Sequence, residues 1–139
     1  MIVKRLDVTR YTKDGWSYRT TTTADPAWPK IEKAIRRLDK FSYPFLYLCL
    51  TEADDTEERL EIMGGGGDYW IVGNFDGFWQ RRLVNPDGGN EIVAVWTSDQ
   101  GFGDEEKHIC HDVEVVVRAA RYFFEHGHFD PSLTWEERR

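Results

Sequence analysis

His108, Cys110, His111 and Asp112 fall within five consecutive positions, and imidazole, thiolate and carboxylate are the groups that bind zinc or move protons. A zinc site needs a second half at compatible spacing, and the other histidines, His126 and His128, lie at the far end of the helix that follows. The cluster therefore reads as a loop entering that helix, with Cys110 packed inward. Gly64–Gly67 would let backbone N–H groups approach an anion. A phosphate loop, however, continues into Lys, then Ser or Thr, then a helix, whereas Asp68 and the strand-like run Tyr69-Trp70-Ile71-Val72 follow here. These glycines are expected to form a hairpin connection or a strand edge. No serine stands in a Gly-x-Ser-x-Gly elbow, and no cysteine has an activating pattern beyond its histidine neighbours. Carboxylates are so numerous that pairs of them decide nothing. The expectation is a chain with no catalytic residue, no metal and no cofactor.

What remains is a surface. The formal net charge is −7, which disfavours a phosphate backbone as partner and suits a basic protein. Glu52, Asp54, Asp55, Glu57, Glu58 and Glu61 form one acidic group, and Asp104, Glu105, Glu106, Asp112 and Glu114 a second. Each group reads either as a solvated loop or helix end, or as a negative surface that steers a cationic partner. Aromatic residues are plentiful beside them. Successive strand side chains face opposite sides, so Phe78 and Trp79 cannot both enter one core, and a Trp beside Asp is the composition of a binding hot spot. The candidate interface is therefore Asp76, Phe78 and Trp79, with Asp99, Phe102, Asp104 and Glu105 from a loop over 99–105, helped by Asp54, Asp55, Glu57 and Glu58.

The elements that would carry these residues give an α+β pattern. Ile2–Val8 and Trp16–Thr22 flank the turn Lys13-Asp14-Gly15 as a hairpin. Asp25 and Pro26 offer an N-cap and first position for a helix whose Ile31, Ile35 and Leu38 recur at i, i+4, i+7; its cations Lys30, Lys33, Arg36, Arg37 and Lys40 read as a solvated face. Five short strands follow: Phe45–Leu50, Arg59–Met63, Tyr69–Phe75, Phe78–Val84 and Glu91–Thr97. The clearest turn is Asn85–Asn90, where Pro86 fixes φ and Gly88 and Gly89 permit positive φ. Asp112 caps a last helix with the apolar stripe Val113, Val116, Val117, Ala120 and Phe124. Together these predict one domain, 1–139, with an antiparallel meander of six to seven strands, two main helices, and the C-terminal helix packed on the sheet.

Ala119-Ala120-Arg121-Tyr122-Phe123-Phe124 leads into the glycine stop Gly127, and Pro131-Ser132-Leu133-Thr134-Trp135-Glu136 closes the chain, turning Trp135 back to the body of the domain. With Gly64–Gly67 in mid-chain, this ending resembles the Imm1 family of bacterial immunity proteins. The resemblance is detailed over the last quarter of the chain and covers the middle in pattern alone. It implies a small protein that binds and silences a cognate toxin, often one with a deaminase domain. The deaminase signature itself, His-x-Glu with Pro-Cys-x-x-Cys, is absent, so this chain would be the inhibitor. The expected partner is a basic toxin bound one to one by occlusion of its active site, with no nucleic acid and no membrane. A generic adaptor domain and a small-molecule enzyme are the alternatives. With no apolar run of signal-peptide or membrane-span length, and with Cys49 and Cys110 as free thiols, a cytoplasmic protein is expected.

Overall fold

The computed structural model describes residues 2–12, 17–51, 58–74, 80–97 and 100–138. The strands are β1 (Arg5–Tyr11), β2 (Tyr18–Ala24), β3 (Phe45–Cys49), β4 (Arg59–Gly65), β5 (Asp68–Asn74) and β6 (Gln80–Val84), with helix α1 (Trp28–Arg36) between β2 and β3; apolar and polar residues alternate most clearly in β1 and β4. A separate hairpin, β7 (Ile92–Thr97) and β8 (Gln100–Glu105), precedes a short 3-10 turn at Glu106–His108, helix α2 (Val113–His126) and strand β9 (Thr134–Arg138). The main sheet is antiparallel and seven-stranded, in the order β2-β1-β3-β4-β5-β6-β9. The meander therefore ends on β9, and among the described residues β7 pairs with β8 alone.

Every second strand residue shares a face, so Leu46 and Leu48 of β3, Leu60 and Ile62 of β4, Ile71 of β5 and Leu83 of β6 form one apolar layer. Both helices close over it. α1 contributes Ile31 and Ile35, and Leu38 just past its end completes the expected stripe. α2 contributes Val116, Ala119, Ala120 and Phe123. The expected α2 stripe is thus rotated: Phe123 is fully buried, whereas Phe124 is partly buried and packs against Trp28 with ring centroids 5.7 Å apart.

Helix α1 begins later than its sequence pattern implies. Asp25 takes a φ of 45° and donates its N–H to Lys4 O at 2.9 Å, so it closes β2 and does not cap the helix. Ala27 occupies the N-cap without a side-chain bond, and Pro29 is the proline of the first turn, where a missing N–H costs nothing. The α2 ends are as expected. Asp112 accepts the Glu114 N–H at 2.9 Å, and Gly127 stops the helix in the left-handed conformation. Asp130 then fixes the turn by accepting the Ser132 N–H at 2.8 Å and Arg118 Nε at 3.2 Å. Trp135 lands opposite Leu83 on β9 and donates Nε1–H to Asp130 O at 2.9 Å.

Gly65 pairs with Asp68 across a two-residue turn, Gly66-Gly67, in which both φ values are positive, the requirement of a tight hairpin that follows strand twist. A Cβ on Gly65 would also overlap the Leu38 carbonyl, because residue 39 bridges to Gly65 at this point. Close backbone approach accounts for Gly64 and Gly65, and positive φ in the turn for Gly66 and Gly67. At the Asn85–Asn90 turn the expected positive φ at Gly88 and Gly89 is not found; the turn closes instead through Asn85, whose side chain accepts the Asp87 N–H and whose carbonyl accepts the Gly88 N–H.

Candidate functional site

The sheet face away from the helices carries a row of titratable side chains. β1 places Arg5, Asp7 and Thr9 on it, β3 places Tyr47 and Cys49, β4 places Arg59 and Glu61, and β6 places Arg82. Arg5 is buried, donating Nε–H to Asp7 at 3.1 Å and Nη2–H to Cys49 Sγ at 3.3 Å, while Thr22 donates its hydroxyl to Asp7 at 2.9 Å. Arg59 pairs with Glu61 at 2.7 Å and lies over the Tyr47 ring. Burial pushes the Cys49 thiol up despite the adjacent Arg5 cation, so this cysteine is a packed thiol and not a poised nucleophile.

At the other side of that face, the β7–β8 hairpin is pinned by Asp104. Its carboxylate, only 11% exposed, accepts Trp70 Nε1–H at 2.8 Å, Arg82 Nη1–H at 3.1 Å and the Glu105 N–H at 2.7 Å; His108 Nδ1 lies 2.7 Å away. Since an ionised carboxylate only accepts, His108 donates from Nδ1. Burial works against the Asp104 charge, but the bonds from His108, Glu105 and Trp70 outweigh it and hold the carboxyl below its ordinary range. His108 Nε2 is buried without a hydrogen-bond partner, and the nearby carboxylate oxygen Glu136 Oε1 is 3.5 Å away.

His111 goes elsewhere. Its Nδ1 lies 2.8 Å from Asp68 and its Nε2 2.9 Å from Glu106, while Lys40 meets the second Asp68 oxygen at 2.7 Å. The bonds to Glu106 and then Asp68 raise the His111 pKa, and the Lys40 and His111 contacts lower that of Asp68. These groups rim a cavity of 230 Å³ completed by Gly64, Val93, Ala94 and Ile109. Cys110 instead pairs its backbone with Tyr69 and bonds its thiol to Asp112 O at 3.3 Å. The sequence cluster 108–112 is thus split three ways. Among the described residues no three or more His, Cys, Asp or Glu converge as a metal site would require.

Of the candidate interface residues, Asp54, Asp55, Glu57, Asp76, Phe78, Trp79 and Asp99 lie outside the described residues. Glu58 is exposed, and its carbonyl accepts the Leu50 N–H at 3.0 Å. Phe102, Asp104 and Glu105 are not on a loop: they belong to β8, which pairs in register with β7 from Ile92–Glu105 to Thr97–Gln100. Asp104 faces inward as the hairpin's anchor, and Glu105 meets Lys107 at 3.4 Å. The register nevertheless sets the described strand ends that flank two of the segments side by side. Cys49, Arg59, Asn74 and Gln80 are successive partners across β3, β4, β5 and β6, so the 50–58 and 75–79 connections leave the same end of the sheet.

Sequence reading singled out Asp104 and His108 for other roles and missed their network with Trp70 and Arg82, because those two partners lie 34 and 22 residues from Asp104 in the chain. No helix among the described residues is long and apolar enough to cross a membrane. No family model matches the chain, and no curated protein matches it.

Proposed function

We propose that this chain is an immunity protein that binds a cognate bacterial toxin of the deaminase type, one to one, and blocks its active site, acting in the cytoplasm and without a catalytic residue of its own. The observation that carries the reading is the shared sheet end. The acidic segment Asp54–Glu58 and the aromatic, acidic segment Asp76–Trp79 are tethered by neighbouring strand ends at Cys49–Arg59 and Asn74–Gln80. Acidic residues to attract a basic partner and aromatic residues to anchor it are thus joined to adjacent strand ends. The resemblance of residues 119–136 to the Imm1 family supports the same reading. Asp104 drops out of the contact set, since its oxygens are occupied within the chain.

The test is co-purification of the tagged chain with the product of the adjacent gene, carrying an inactivating substitution. A stoichiometric complex that also restores growth against the active toxin establishes immunity. Absence of binding, with both proteins folded, refutes it.

A further inference from the structure

The two flanks of α1 treat their cations differently. Toward α2, Arg36 meets Glu32 at 3.0 Å and Glu114 at 2.8 Å, and Lys40 beyond the helix meets Asp68. Toward β1 and β2, Lys30, Lys33 and Arg37 stand at i, i+3, i+7 along a groove of 650 Å³ that they share with Arg10, Thr21 and Thr23, over Leu6, Val8 and Ala34. Arg19 adds a fifth cation, because it is the direct register partner of Arg10 on the same sheet face. Among the described residues none of the five meets a carboxylate; Arg10 and Arg37 only approach the Tyr43 ring, at 5.8 and 4.2 Å. Like charges set directly opposite in a sheet repel. The chain has 25 acidic residues against 18 Lys and Arg, yet no carboxylate among the described residues pairs with these cations.

A second, independent feature adjoins the groove. β2 is an edge of the seven-stranded sheet, and six of its seven residues are exposed, Thr23 being partly buried. No described residue pairs with its outer side. A regular, open edge of this kind is a template for one more strand.

We propose that this flank docks an extended acidic segment of a protein partner, which adds as a strand along the outer edge of β2 and directs alternate carboxylates toward Arg10, Arg19, Lys30 and Lys33. Main-chain pairing supplies affinity and the two-residue alternation supplies selectivity, since Arg19, Thr21 and Thr23 share one face of β2 and the two threonines line the groove. A second copy of the chain fits poorly, because edge-to-edge pairing would set a like cationic rim against the first. A nucleic acid fits poorly too, as its phosphates would meet an apolar floor on a molecule of net charge −7. The residues involved are distinct from those of the proposed toxin surface, so either assignment can fail alone.

The test titrates the full chain with a labelled peptide alternating Glu and Val, read by anisotropy and by amide shifts in NMR spectra. Shifts centred on Arg19–Thr23 and Lys30–Lys33 are expected. Affinity should fall about tenfold or more in the Arg19→Gln, Lys30→Gln, Lys33→Gln triple variant, as for loss of several complementary charges, and stay unchanged in Arg36→Gln. The removed charges are exposed and mutually repelling, and circular dichroism checks that the variant is folded. The proposal is overturned by absence of shifts in β2 of the wild-type chain, or by equal loss of affinity in Arg36→Gln. It is likewise overturned by tighter binding of duplex DNA or phosphatidylserine vesicles than of the peptide, or by a dimer of the free chain that buries β2.

Discussion

The β5–β6–β8 side of the molecule uses up its charges, and the groove between α1 and β1–β2 leaves its cations unspent. On the first side Arg82 is only 12% exposed and is held by Asp104, while Lys40, Asp68, His111 and Glu106 form a chain of alternating sign. On the second side Arg10 and Arg19 face one another, and no carboxylate among the described residues pairs with either. The same residue types thus serve as internal fastening in one place and as an outward field in the other. Identity does not decide between the two; depth and register do.

The sharpest break in that contrast is Asp104→Ala. It leaves Trp70, Arg82 and His108 without their shared acceptor, and losing one partner of a buried charged set costs about 3–5 kcal/mol, read as a drop in urea midpoint. Next in size is Gly65→Ala, which combines a φ of 134° with overlap onto Leu38 and should cost roughly 3 kcal/mol. Gly66→Ala, with φ of 59° and open space, should cost only about 1 kcal/mol in the same assay.

Reversing Asp54, Asp55, Glu57 and Glu58 to Lys should slow association with the toxin about tenfold or more at low salt, measured by stopped flow. An unchanged rate removes that segment from the interface. A smaller effect is expected from pH. The raised His111 pKa means its contribution is complete below the ordinary value of 6.5 and is lost as pH climbs through the folded-state value. Asp68 and Glu106 are lowered, so theirs is complete above the ordinary 3.8 and 4.5 and is lost as pH falls through the folded-state values. The clamp is therefore strongest between about pH 4.5 and 6.5. His111→Gln should flatten the stability profile above that window, and a profile identical to wild type would show that the clamp contributes nothing. Smallest of all, Arg19→Gln should leave the melting temperature unchanged or slightly higher, because relieving a like-charge pair is worth about 0.2–1 kcal/mol.

The parts of this arrangement that depend on neighbours in sequence were readable from it. The apolar alternation of Leu46-Leu48 and Leu60-Ile62, the Asp112 cap and the Gly127 stop are local physics, and each stands where the pattern puts it. β8 was not readable, because Gly101, Gly103 and the Asp104-Glu105 pair look like a loop until β7 lies beside them. β9 was hidden for the same reason: Thr-Trp-Glu-Glu-Arg has little strand signal, and it forms by pairing with β6, some fifty residues earlier. The candidate acidic residues show the limit most plainly. Asp104 and Glu58 carry the same charge, yet only three-dimensional placement makes one an anchor and the other a surface group.

The two buried thiols turn this division into a clock. Cys49 sits under Arg5 in β3, and Cys110 is bridged to Tyr69 at the entrance to α2; burial raises both pKa values, so neither reacts while its surroundings are closed. Alkylation of each residue, followed by mass spectrometry, then times the opening of its own neighbourhood. If Cys49 is modified first, the β1–β3 side breathes independently of the rest; equal rates would mean that the molecule opens as one unit.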